Sequence, residues 1–279
     1  MYQEYRPSRF QILPPVVKNL LIINGIMYLA TMMLKEKFNF DLADYLGIFY
    51  PVSDKFNLFQ LVTHLFMHGS FLHLFSNMFA LWMFGNMLEN IWGSKRFLTY
   101  YIVTGLGAAA VHLLFTWYEV EHMRSIIETY ANSANFNDFK ILLDKFRGYI
   151  YPDQYDYYNK IYTDLQIQPK SAAVQQESIK AAYNLVQNKI DVPTIGASGA
   201  VFAVLLAFGM LFPNTILYVY FALPIKAKYF VALYGLFELY SGFENTPGDN
   251  VAHFAHLGGM LFGFILLKSW NKNNRKNFY

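Results

Sequence analysis

Apolar positions in this chain gather into runs. Six of them approach the roughly 20 residues that a helix needs to cross a bilayer core, near 16–34, 71–91, 97–117, 195–212, 224–241 and 250–268. The first lacks a signal-peptide cleavage pattern, and Lys18 can snorkel from its start, so it reads as a retained span. The fifth opens on LPIKAK, which puts Pro224 in a first helical turn and Lys226 and Lys228 at an interface. The apolar run 215–223 before it is too short to span alone.

Between the third and fourth runs the pattern changes. Residues 118–192 hold ten acidic and eight basic side chains. Their helical-looking pieces, about 119–131, 136–147 and 170–189, flank the tyrosine-rich bend YIYPDQYDYYNKIY. A loop of this length normally has structure of its own. The expected fold class is therefore all-α: a polytopic membrane protein with six transmembrane helices and an inserted helical outer loop. Its parts are a cytoplasmic tail 1–15, helices one to three with outer loop 35–70 within 16–117, the extramembrane insertion 118–192, helices four to six within 193–268, and a cytoplasmic tail 269–279.

Composition agrees with lipid as the solvent. Apolar residues make up 55% of the 279 positions and charged residues 15%, far from the balance of a soluble domain. Lysine and arginine then set the orientation. With the N-terminus inside, the inner segments hold eleven of them, and the short outer segments hold only Lys35, Lys37 and Lys55. Both termini are expected in the cytoplasm, a topology consistent with a bacterial inner (cell) membrane. The net charge of +3 is scattered beside apolar runs, so nucleic acid is not an expected partner. The absence of cysteine removes disulfides, thiol catalysis and thiolate metal sites.

Several reactive groups stand where hydrocarbon makes them costly, which marks them as functional candidates. Ser198 lies in GASGA (196–200), His256 in AHLGGMLFG (255–263), and His73 and Asn77 share one face of the second span, four residues apart. The topology sets all of them at similar depth below the outer surface. A serine hydroxyl becomes a nucleophile when a neighbouring imidazole takes its proton, and His256 is of the right type, with His253 one turn earlier as the rival base. The amide of Asn77, the ring of His73 and the backbone N–H of Ser198 suit an oxyanion site. No acidic residue lies in the inner part of spans four or six, so a dyad is expected rather than a triad. Glycines 196, 199, 258, 259 and 263 permit close helix approach.

These motifs resemble those of the rhomboid intramembrane serine proteases. THLFMHGSFLHLFSN (63–77) looks like the family's second-helix pattern, GASGA like its GxSG motif, AHLGGMLFG like its AHxxGxxxG sixth helix, and GNMLENIWGSKRF (85–97) like its second-to-third helix turn. The resemblance implies a six-helix rhomboid-like bundle, a Ser198–His256 dyad, an oxyanion site using His73 and Asn77, and cleavage of transmembrane protein substrates near their outer ends. Two positions depart from the family. Phe202 stands where some members have a tyrosine packed on the catalytic histidine, and Phe59–Gln60 where some have a Trp-Arg pair. The resemblance also suggests a gate formed by the fifth span and the loop 241–250, with Phe230, Phe237 and Tyr240 as candidate gating side chains.

Other readings stand beside this one. His64 and His68 have the i, i+4 spacing of metal ligands, but Leu65 occupies the place of the glutamate in HExxH. A structural brace for the first outer loop is expected there, with no metal and no cofactor. His112 and His122 carry no signal. The alternative function is a catalytically silent relative that binds transmembrane helices. The insertion is expected to capture substrate or form a lid over the site, or simply to cover the outer face.

Overall fold

The computed structural model describes residues 10–219, 222–244 and 251–276, with side chains to residue 270. Helix α1 (Pro15–Phe38) starts at a proline, whose missing N–H costs nothing in a first turn, and stops at Asn39 in the left-handed conformation. Its buried face holds Val17, Leu20, Asn24 and Thr31, while Ile22, Ile26, Leu29 and Met33 point outward. Asn24 and Thr31 bond the carbonyls of Leu20 and Met27, both at 2.8 Å. The Asn24 Nδ2 and Thr31 Oγ1 donors find carbonyls within the helix, Asn24 Oδ1 is buried without a partner, and aliphatic groups are exposed outside, as on a helix in lipid.

Two short helices, α2 (Ala43–Leu46) and α3 (Gln60–Thr63), shape the loop between α1 and α4. The second long segment is α4 (Phe71–Ala80), a π-helical turn Leu81–Gly85 and α5 (Asn86–Trp92). Phe71, Phe75 and Phe79 stack along its outer face, and Phe84, in the π turn, packs on Phe208. Near its end Glu89, 2% exposed, accepts the backbone N–H groups of Val16 and Val17 at 2.9 and 2.8 Å and the Ser94 hydroxyl at 2.7 Å. It thereby caps α1, whose own N-cap residue, Pro14, supplies no side-chain bond.

Helix α6 (Ser94–Ser133) runs unbroken for 40 residues. The sequence separates a third span ending at 117 from a helix at 119–131, but no glycine or proline falls between 108 and 147 to interrupt the ladder. Beyond it come α7 (Phe136–Lys145), α8 (Tyr155–Ile167) and α9 (Ala172–Ile190). These pack with the far half of α6 around their own apolar cluster, which includes Val120, Ile127, Phe139, Tyr158, Leu165 and Leu185. Lys189 pairs with Glu119 at 2.9 Å and joins α9 to α6.

The chain returns through α10 (Ser198–Leu211), an antiparallel hairpin of β1 (Ile216–Val219) and β2 (Leu223–Lys226), α11 (Ala227–Glu244) and α12 (His253–Lys276). The hairpin corrects one expectation. Pro224 lies in β2 opposite Tyr218, because the preceding apolar run offers a strand partner, and the helix starts at Ala227 instead. The core cluster joins α1, α5, α6, α10, α11 and α12 through residues such as Leu88, Phe97, Tyr100, Val204, Val231 and Leu267. Gly259 meets the carbonyl of Gly199 so closely that a side chain at 259 would overlap it, which brings α10 and α12 nearly backbone to backbone.

Three described helices are by themselves long and apolar enough to cross a membrane: Pro15–Phe38, Phe71–Trp92 and Ser94–Ser133. Ser198–Leu211 is apolar but only 14 residues long.

Candidate active site

Ser198 opens α10 at the end of a pinned approach. Ile48 and Thr194 exchange backbone hydrogen bonds of 2.9 and 2.8 Å, and the Gly196 N–H donates to the His64 carbonyl at 2.9 Å. Gly196 has φ +127°, a conformation that side-chain-bearing residues rarely adopt. This turn sets the serine hydroxyl toward α12, whose first turn carries His256. Ser198 Oγ lies 2.8 Å from His256 Nε2. The sequence leaves His253 and His256 as rival bases, and the serine contact falls to His256.

Three contacts hold the His256 ring. Besides the serine, Phe202 stacks on it face to face, with centroids 4.1 Å apart and planes 7° from parallel. On the far side, His256 Nδ1 lies 2.7 Å from Glu238 Oε2. The same oxygen is 2.7 Å from His253 Nδ1. Glu238 is 3% exposed and stands on α11. The sequence anticipates no carboxylate here, because its search covers spans four and six and Glu238 comes from the fifth. The available signal is simple: an acid within an apolar segment is rarely idle.

Two of the oxyanion donors suggested by the sequence, His73 and Asn77, lie on α4. A Cβ added to Gly196 would sit 2.9 Å from both Cε1 and Nε2 of His73 and 3.6 Å from Ser198 Oγ, so that ring borders the nucleophile. Asn77, one turn along the same helix and 6% exposed, has a buried Nδ2 with no hydrogen-bond partner. A buried amide donor without a partner is costly.

Beside Ser198 is a cavity of about 20 Å³, lined among others by His64, His112, Thr194 and Gly196. That volume accommodates one water molecule. His112 Nε2 and Thr194 Oγ1 are 2.7 Å apart at this cavity, so His112 belongs to the surroundings of the site although its sequence context marks nothing.

His64 and His68 meet different neighbours. His64 Nδ1 contacts the Gln60 carbonyl at 2.8 Å, and the His68 ring packs edge-on to His73 at 4.9 Å. Gln60, at the departure from the Trp-Arg pair, braces the loop between α1 and α4: its Oε1 accepts from the Asn57 N–H at 3.0 Å and its Nε2 donates to the Lys55 carbonyl at 2.9 Å. Among the described residues, Glu238, His253 and His256 form the cluster with metal-ligand chemistry, their donor atoms lying within 4.8 Å of one another. Their 2.7 Å contacts have the length of N–H···O hydrogen bonds, whereas two ligands of a tetrahedral zinc stand roughly 3.3 Å apart.

Of the gating candidates, Phe230 packs against the core, and Phe237 and Tyr240 are exposed on α11. In the loop 241–250, residues 245–250 lie outside the described residues.

The sequence profile described as the Rhomboid domain matches residues 55–120 and 172–269. The match takes in His73, Asn77, Ser198, Glu238, His253 and His256 and passes over 121–171, the middle of the insertion. Rhomboid-like protein 15 of Arabidopsis thaliana is 26% identical over 120 residues, which cover 40% of this chain and 28% of that protein. This chain thus spans less than a third of that relative's length.

Proposed function

This chain belongs to the rhomboid family of integral membrane proteins, and on that premise we propose that it is an intramembrane serine endopeptidase acting on membrane-anchored protein substrates. The observation that carries the reading is the 2.8 Å contact between Ser198 Oγ and His256 Nε2, the distance at which a base takes a hydroxyl proton. Ser198 attacks the scissile carbonyl as His256 accepts its proton. His73, Asn77 and the Ser198 N–H hold the oxyanion, and the unpartnered Asn77 amide supports that role. His256 then gives the proton to the leaving amine, and water hydrolyses the acyl-enzyme. In this reading six helices cross the bilayer with both termini in the cytoplasm, and the site opens to the outer side past α11, where Phe230, Phe237 and Tyr240 line the way in.

Labelling of the purified protein with a fluorophosphonate tests the proposal. The expected result is one adduct at Ser198, absent in Ser198→Ala and in His256→Ala, together with cleavage of a transmembrane substrate in lipid nanodiscs. A folded wild type that neither labels nor cleaves would refute the reading and favour a catalytically silent protein that binds transmembrane helices.

A further inference from the structure

We propose that Glu238 is a positioning residue that completes a Ser198–His256–Glu238 triad, with His253 fixing the carboxylate as a second donor. This rests on the protease reading of Ser198 and His256.

The chemistry begins with the tautomer of His256. To accept the Ser198 proton, Nε2 must present its lone pair, so Nδ1 must carry the ring proton. An unassisted imidazole does not favour that tautomer. Glu238 Oε2, 2.7 Å from Nδ1, is an acceptor that enforces it. Phe202 holds the ring plane through its 4.1 Å stack, but its phenyl ring offers no hydrogen bond where a tyrosine would carry a hydroxyl. The carboxylate therefore supplies the polar constraint that the phenylalanine lacks.

His253 explains how the carboxylate keeps its aim. A buried carboxylate is strongly unfavourable unless it is hydrogen-bonded, and Oε2 lies 2.7 Å from each of the two Nδ1 atoms. His253 precedes His256 by three residues at the start of α12, so the two imidazoles converge on one oxygen from one helical turn. Rotation of the Glu238 side chain would break both contacts at once.

In the reaction the Oγ–C bond forms as the Ser198 proton passes to His256 Nε2. The imidazolium charge is then held against the Glu238 carboxylate, which keeps its own charge and takes no proton. When the C–N bond breaks, Nε2 returns that proton to the leaving amine. Water repeats the sequence on the acyl-enzyme and restores the serine O–H.

The test uses the full chain in nanodiscs. Glu238→Gln should lower kcat for a transmembrane substrate by about 10²- to 10⁴-fold, with KM changed less than about threefold. Glu238→Asp should recover part of the loss. A second readout is independent of turnover: in Ser198→Ala labelled with ¹⁵N-histidine, two downfield Nδ1 protons, from His253 and His256, are expected, and adding Glu238→Gln should move both upfield. Where Glu238→Gln does not fold, the Ser198→Ala spectrum decides alone. Full turnover in Glu238→Gln, a His256 Nδ1 without a proton, or stoichiometric zinc retained by the purified protein would each overturn the triad. A wild type without fluorophosphonate labelling would instead sink the protease reading, and the Nδ1 signals would still report on Glu238.

Discussion

Replacing Gly196 by alanine isolates the contribution of one ring position. The residue has φ +127°, so any side chain there strains the backbone, by an order of about 1–3 kcal/mol. The new Cβ would also stand 2.9 Å from the His73 ring, where ordinary contact begins at 3.4 Å. The shortfall is 3.4 − 2.9 = 0.5 Å, and the imidazole must retreat by that amount. A misplacement of about 1 Å in a catalytic group can cost ~100-fold, so a retreat of half that size should lower kcat by about 10-fold. KM for the transmembrane substrate should change little, because in the proposed mechanism His73 acts on charge that develops after binding. Gly93→Ala supplies the control: φ there is +77°, but no atom lies within 4 Å of the added carbon. It should soften the protein comparably and leave kcat intact. Both variants would be measured by thermal unfolding in detergent and by fluorogenic cleavage in nanodiscs. Wild-type turnover by a folded Gly196→Ala, or equal loss in Gly93→Ala, would refute the reasoning.

Two further predictions concern stability. Glu89→Ala leaves the Val16 and Val17 N–H groups and the Ser94 hydroxyl without their acceptor and should destabilise the protein by about 2–4 kcal/mol, seen as a lower Tm, whereas the exposed Glu36→Ala should be neutral. Burial pushes the Lys189 ammonium down, but Glu119 and Tyr149 outweigh it and hold its pKa above the ordinary lysine value. A raised folded value means that the pair's contribution is complete below the unfolded pKa of about 10.4 and is lost as pH rises through the higher folded one. Lys189→Met should therefore cost about 2 kcal/mol across the neutral range, and its Tm should converge with the wild type only in strong alkali.

What the sequence discloses follows from where its signals are local. Ser198 and His256 are legible because each stands beside glycines within an apolar run, and His73 and Asn77 share a face by spacing alone. Glu238 is not found that way. Its partners are 15 and 18 positions away, and nothing in the spacing gives the rotation of α11 about its axis, which decides whether the acid meets α12 or lipid. The hairpin at 216–226 escapes for a similar reason: a short apolar run reads the same as a helix start or as a strand until its pairing partner is known. The continuity of α6 is visible in retrospect as a stretch free of breakers, but the change from apolar to charged residues at 118 imitates a boundary. The change marks an altered environment along one helix, with the rod itself unbroken.

That rod has a mechanical consequence. Forty residues of uninterrupted α-helix make a mast about 60 Å long, and its lower half, through Gly105, Ala108 and His112, lines the cavity beside Ser198. The helical cluster beyond it is therefore joined to the cavity twice, through this rod and through residues 191–196, which run from α9 into the cavity wall. Deleting or adding a single residue near 118 would turn the far half of α6 by about 100° around the shaft, against the fixed return through α9 and the Ile48–Thr194 bridge, while four residues, slightly more than a full turn, would nearly restore its heading. A load applied to α7, α8 and α9 would reach the cavity from two sides, along the rod and through the Thr194 strap.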